Sequence, residues 1–350
     1  MDDPFKFDET GVGQEPTFET FGCKVFNESP ATPDRRTPDI KFLRDVKTSG
    51  KLKAPDGKEI RFWSFVDPNS PNPAERREIY PSPPIRVRQG QIVHTQMKAS
   101  KGPHTIHHHG INTTTFNDGV GHVSFEASNY TYQWLASQSG FNIYHCHRNT
   151  VLHFQMGLFG VIIIDPPDGP GHFLPTRQGR PDRIPYQVEK IWVASNIDPR
   201  WHNQIGEEHS AGLCGEDVGL NRFEPKYFLL SGVFSNRTMD DPRAVVRAKV
   251  GDTILIRILN ASYSVLTVTA GIDSLVVGVD GHSLFDNPWE HPIPIPAGQP
   301  NRLTTAVRAT VIVKPTQRGT FPVTLEFRHW ITGEIEDQGR GVIHTRIEVS

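Results

Sequence analysis

Phe141–Asp165 reads FNIYHCHRNTVLHFQMGLFGVIIID. Two runs of apolar, aromatic and β-branched residues, FNIY and GLFGVIIID, flank a segment dense in histidine, with one cysteine and one methionine. The flanks read as buried strands. Side chains alternate between the two faces of a strand. His145 and His147 therefore share one face and Cys146 takes the other. His153 and Met156 fall on the loop that follows.

Upstream lies PHTIHHHG, ending at Gly110. On an extended chain His107 and His109 point one way and His108 the other, while His104 is set apart from the run. The two stretches together supply two donor sets. Cys146, His104 and His153 with a weak axial Met156 form the ligand set of a type 1, electron-transfer copper, in which thiolate and thioether suit Cu(I). His107, His109, His145 and His147 can hold a second copper on the opposite face. Zinc, which prefers four tetrahedral Cys and His donors, makes little use of such a methionine. A structural histidine cluster is the other alternative.

Around these stretches the pattern stays β. IRFWSFV, PPIRVRQGQIVHTQMKA and YTYQWLA precede the cysteine, and Gly, Pro, Asn, Asp or Ser fill the spacers. No part of residues 60–165 has a helical period. A second strand series runs from QVEKIWVAS to GVIHTRIEV. IRVRQGQIVHTQMKAS in the first half resembles VVRAKVGDTILIRILNAS in the second, so a duplicated β-sandwich is expected. The boundaries read as an N-terminal arm over 1–57, a first domain over 58–168, a linker over 169–184 and a second domain over 185–350.

Composition narrows the function classes. Lys plus Arg is 37 and Asp plus Glu is 39 among 350 residues, a net charge of −2. That excludes binding to nucleic acid or an anionic membrane through net charge alone. No apolar run is long enough to span a membrane. Histidine is abundant at 16, and most of it lies between His94 and His172. Of the cysteines, Cys23 and Cys214 could pair or remain isolated thiols. The opening MDDPFKFDET has no signal-peptide core, which fits either a cytoplasmic protein or one whose targeting segment has been removed.

PPIRVRQGQIV, HTIHHHG, DGVGHVSF, YTYQWLASQSGFNIYHCH and HFQMGLFGVIIID resemble the copper-bearing cupredoxin domain of multicopper oxidases. KYFLLSGVF, KVGDTILIRILNAS and VVGVDGHSL resemble a second cupredoxin domain. The resemblance covers roughly residues 58–350. It implies an all-β chain of two cupredoxin-like Greek-key sandwiches in the multicopper oxidase and copper nitrite reductase superfamily. It also implies a periplasmic or secreted location and a homotrimer.

The chain departs from the family patterns in several places. The laccase pattern puts the type 1 histidine five residues after the cysteine; Val151 stands there and His153 two residues later, while Met156 keeps the axial spacing. A trinuclear oxygen-reducing site draws two further H-x-H pairs from a second domain, and where one belongs this chain has Thr267 and Thr269. Nitrite reductases carry an aspartate where His107 stands and no histidine in place of His147. Their resemblance implies that His329 reaches a neighbouring subunit's copper and that His282 or His107 acts as proton donor. His202, His209, His291 and His344 read as surface or structural.

The expected function is a copper-dependent oxidoreductase. A small molecule or small redox protein would donate single electrons to the Cys146 site, and the second centre would reduce a small oxidant, oxygen first. Nitrite reduction at a three-histidine type 2 copper is the alternative, and a blue copper electron carrier without catalysis is a third reading.

Overall fold

The computed structural model describes residues 37–99, 104–120, 129–173, 183–203, 222–285 and 289–350. Cys23, Cys214 and His209 lie outside them.

The first half contains β1 (Ile40–Lys53), β2 (Glu59–Val66), β3 (Ile85–Arg88), β4 (Ile92–Ala99), β5 (His107–His109), β6 (Asn129–Leu135), β7 (Gly140–His145) and β8 (Phe159–Asp165). They form two four-stranded sheets, ordered β2-β1-β4-β6 and β3-β8-β7-β5. The second half contributes β11 (Val188–Ile197), β12 (Tyr227–Leu230), β13 (Val233–Phe234), β14 (Val246–Ala248), β15 (Ile254–Asn260), β16 (Val265–Ala270), β17 (Ser274–Val279), β18 (His282–Ser283), β19 (Ile293–Ile295), β20 (Pro300–Leu303), β21 (Arg308–Val313), β22 (Gly319–Arg328) and β23 (Val342–Val349). One of its sheets runs β13-β12-β11-β15-β21-β17-β18, with β19 beside β17, and the other runs β14-β23-β22-β16-β20. Between the halves, β9 (His172–Phe173) and β10 (Ile184–Pro185) pair as a small ribbon that joins the stretch read as a linker to the first residue of the second domain.

The repeat seen in the sequence is a repeat of topology. β1 runs parallel to β4 as β11 does to β15, and β3 runs parallel to β8 as β14 does to β23. β5 pairs antiparallel with β7 as β16 does with β22. The histidine strand thus corresponds to the VLTVTA strand of the second half. All of this is the all-β double sandwich expected.

One boundary is corrected. β1 lies within the segment read as an arm, yet it pairs with both β2 and β4. Its charged sequence hides the strand pattern, because an arginine is buried in it. Arg44 is 1 % exposed, and its guanidinium bonds Tyr144 Oη (3.1 Å), Asp67 Oδ2 (3.0 Å) and the Pro84 carbonyl (3.1 Å). A buried charge persists only when its hydrogen bonds are met in this way.

Two apolar clusters explain the GLFGVIIID run. Ile162 and Ile164 point into the first sandwich with Trp63, Tyr144, Cys146 and Met156. Phe159, Val161 and Ile163 point the other way, onto Val193, Ile197, Leu229 and Leu259 of the second half. β8 is covered on both faces, so alternation gives way to a continuous apolar run. A third cluster, around Trp192, Ile256, Leu325 and Ile347, fills the second sandwich. No helix among the described residues is long and apolar enough to cross a membrane.

His153 and Met156, expected on a loop, stand instead on a helix, Thr150–Met156. Seven residues make two turns, too few for a period to show in the sequence. Burial of Leu152, His153, Phe154, Gln155 and Met156 holds it in place. Gly157 closes the helix at φ 114°, and a Cβ there would lie 2.6 Å from the Trp63 carbonyl oxygen. Gly157→Ala should therefore cost about 2–3 kcal/mol, from the left-handed backbone and the clash together. Urea denaturation checks this; a loss below about 0.5 kcal/mol would show that the turn relaxes freely.

Candidate functional site

The end of β7 carries both donor sets because alternation sends its last side chains to opposite faces. Cys146 enters the first core, fully buried, beside His104 (1 % exposed) and His153 (3 %). Its Sγ lies 3.6 Å from His104 Nδ1 and 3.2 Å from His153 Nδ1. Met156, one helical turn beyond His153, is buried in the same core. Trp63 sets its ring edge-to-face on both imidazoles, at centroid distances of 5.0 Å for His153 and 6.3 Å for His104. The wall around the thiol is therefore rigid and dry. Burial holds the His153 ring well below the ordinary histidine range, with His104 and Arg148 adding to the effect. A neutral ring offers a lone pair, which is what a metal requires.

On the other face His107, His109 and His145 bring ligand atoms within 4.8 Å of one another. Second contacts fix two of the rings. His145 Nδ1 donates to the Cys146 carbonyl at 3.0 Å, and His107 Nδ1 donates to the Asp118 carbonyl at 2.7 Å. A carbonyl only accepts, so the proton sits on Nδ1 and Nε2 is left as the free donor atom in both rings. His145 Nε2 faces His109 Nδ1 at 3.4 Å, a pair of nitrogens that needs a proton or a cation between them. Burial pushes His145 well down and His109 down to about 4. His147 stacks on His145 (5.7 Å between centroids) and lies 5.3 Å from His107, beside the three-atom group rather than in it.

His108 points away, as alternation requires. Its Nε2 meets Thr95 Oγ1 at 3.0 Å, and its ring packs on Tyr132 and Trp134. His282 is exposed on β18, with Nδ1 accepting from Gln138 at 3.2 Å, and joins neither group within the chain. His329 joins neither group. Its Nδ1 accepts from the amides of Ile331 (3.3 Å) and Thr332 (3.2 Å), which leaves the proton on Nε2. It lines a cleft of about 740 Å³ with Val151, Trp201, Tyr263 and Trp330. Within one chain, that ring is held through Nδ1 and leaves Nε2 facing away from those amides.

His202, read as surface or structural, is fully buried. Its Nδ1 donates to the Arg61 carbonyl at 2.6 Å, and Nε2 lies 3.4 Å from Gln155 Nε2 on the helix of His153 and Met156. Asp118, Trp63 and Gln155 were missed in the sequence. They act only through contacts made in the fold, and no local motif marks them.

The donor chemistry passes the test for copper. One thiolate, two imidazoles and a nearby thioether in a closed pocket suit a soft, one-electron metal, and three imidazoles that leave a position open suit a second. In fold and in donor sets the chain is similar to multicopper oxidases and copper nitrite reductases. Residues 77–169 match the multicopper oxidase family model. Among curated proteins, the chain is 23% identical over 284 residues to the copper-containing nitrite reductase of Neisseria gonorrhoeae, covering 77% of this chain and 62% of that protein. It is 33% identical over 161 residues to L-ascorbate oxidase of Cucumis sativus, covering 44% of this chain and 24% of that protein. The chain thus spans less than two thirds of the length of these relatives. Among solved structures, the blue copper oxidase of Nitrosomonas europaea superposes with a TM-score of 0.65 at 23% identity, covering 89% of this chain and 86% of that one.

Proposed function

We propose that the protein is a copper-dependent oxidoreductase, with its electron-accepting centre at His104, Cys146, His153 and Met156 and its oxidant-reducing centre at His107, His109 and His145. One observation carries the reading: Cys146 and His145 are consecutive residues, yet they belong to different donor groups. The bonds from the thiol through the backbone to the imidazole make one continuous covalent path between the groups, reinforced by the His145 Nδ1 bond to the Cys146 carbonyl. Copper, when bound, supplies one-electron acceptance and release at either end of that path. Trp63 and the surrounding core exclude water from the first centre, while the half-buried rings of His107, His109 and His147 leave the second open to a small molecule. The electron donor is a small molecule or a small redox protein.

Oxygen is the oxidant favoured by the multicopper oxidase match and by the packing of His107 against His147, two histidines that the nitrite reductase pattern lacks. Nitrite is the second reading. It is favoured by the three-donor group, and by the absence of a second histidine cluster of this kind among the described residues. Resemblance to both families also supports an extracytoplasmic homotrimer, in which His329 of one copy would reach another copy's second copper and His282 would serve as a proton donor. The test feeds copper-loaded protein an artificial donor and measures oxygen uptake and nitric oxide release side by side. Oxygen uptake is expected, reduced at least tenfold in His107→Ala and in His147→Ala. Nitric oxide release from nitrite without oxygen uptake would select the second reading. Neither activity, with both coppers bound, would leave an electron carrier.

A further inference from the structure

Gln155 is a buried polar residue on the helix Thr150–Met156, standing directly before Met156. Its amide is spent on the second half of the chain. Gln155 Nε2 donates to the carbonyl of Asn196, on β11, at 2.7 Å, and lies 3.4 Å from His202 Nε2. The bond from His202 Nδ1 to the Arg61 carbonyl keeps the ring proton on Nδ1, so Nε2 carries the lone pair and accepts the second amide hydrogen.

These contacts reach both walls of the first centre. Arg61 stands on β2, two residues before Trp63, the ring that packs on His104 and His153. His202 ends the short helix Pro199–His202, whose Trp201 joins the core that holds Cys146 and Met156. At the other end of the ligand helix, Tyr263 Oη donates to the Val151 carbonyl at 2.6 Å. The second half therefore grips the helix in its first turn and in its last. The chain just past it is tied to the first half, where the Cys146 amide donates to the Leu158 carbonyl at 3.0 Å. A helix of seven residues has little rigidity of its own. An apolar side chain at position 155 would fill the same space without direction. A buried amide is tolerated only where its hydrogens find partners, so it fixes an orientation as well as a volume.

We propose that Gln155 is a positioning residue for the first centre, through which the second half of the chain fixes the Met156 end of the ligand helix. Contacts of this kind orient a metal's ligands without touching the metal. A weak axial donor tunes the reduction potential, and its withdrawal disfavours Cu(II). The inference rests on the proposed centre at His104, Cys146, His153 and Met156.

The readout is the equilibrium of copper-loaded protein with a redox mediator, followed by the visible band. Gln155→Leu should keep the band and shift that equilibrium about fivefold toward Cu(I). His202→Asn keeps a donor for the Arg61 carbonyl but withdraws the acceptor from Gln155, and should shift it about twofold in the same direction. This variant keeps the test open if Gln155→Leu, which strands the buried Asn196 carbonyl, fails to fold. His202→Gln still offers Gln155 an acceptor and should restore the wild-type equilibrium. The decisive comparison is made on Met156→Leu. There neither Gln155→Leu nor His202→Asn should move the equilibrium further, because the donor they position is gone. Equal shifts with and without Met156 would mark a general loosening of the core and overturn the proposal. An unchanged equilibrium in both variants at full copper occupancy overturns it as well. Wild-type copper protein with no visible band overturns the first centre itself, and the proposal with it.

Discussion

Copper-loaded protein is expected to be blue or green, and Cys146→Ser should remove the visible band completely. The colour comes from charge transfer between the thiolate and Cu(II), and Cys146 is the thiol that the described fold encloses with two histidines. Serine nearly matches cysteine in volume, and Trp63 and Leu158 still wall the site, so the fold should persist. Circular dichroism should then match the wild type while the absorption disappears. Met156→Leu should keep the colour and raise the reduction potential, because loss of a weak axial donor disfavours Cu(II). A colourless Cu(II) protein at full occupancy would refute the type 1 reading. An unchanged or lower potential in Met156→Leu would refute the axial role alone.

Copper-free protein should lose stability steeply as the pH falls from about 6.5 to about 4, through histidines that fold neutral. Burial lowers His108 to about 3 and His202 to about 4, and neither belongs to a donor group. Below the unfolded value near 6.5, the unfolded chain binds these two protons while the folded chain does not. More protons on the unfolded side means that stability falls as pH falls. Each group contributes about 1.4 kcal/mol per pH unit, so the pair approaches about 3 kcal/mol per unit across the window. His109, His145 and His153 act in the same direction when no metal is bound. Asp241, lowered to about 2, adds its own loss further down, since a depressed carboxylate stabilises only above its pKa. Denaturant titrations at pH 6.5 and 4.5 measure the slope, and His202→Gln should flatten it by close to one proton. A flat profile between those pH values would show that the rings are hydrated in the fold.

Much of the candidate site was legible because strand alternation is a local rule. HCH and HHH each divide by parity, and the structure keeps that division: Cys146 and His108 face inward, while His145, His107 and His109 face the second centre. The duplicated sandwich was legible for a similar reason, since strand, glycine turn and strand repeat at matching places in the two halves. The helix of His153 and Met156 was not, because two turns are fixed by burial rather than by period. β1 was not either, because Arg44 makes a core strand read as a charged arm.

The sequence by itself determined the all-β class, the internal repeat, the residue types of both donor sets and their separation onto opposite faces, all of which follow from the two-residue period of a strand. Tertiary structure alone decided which nitrogens converge. Asp118 and the Cys146 carbonyl select the free nitrogens of His107 and His145, and these contacts are made by chain folding rather than by spacing. It also decided that the second half bears on the first centre, where His202 meets Gln155 on the helix of His153 and Met156. The physical reason is that local rules fix the direction of a side chain, whereas proton positions and electric fields depend on whatever distant chain packs against it.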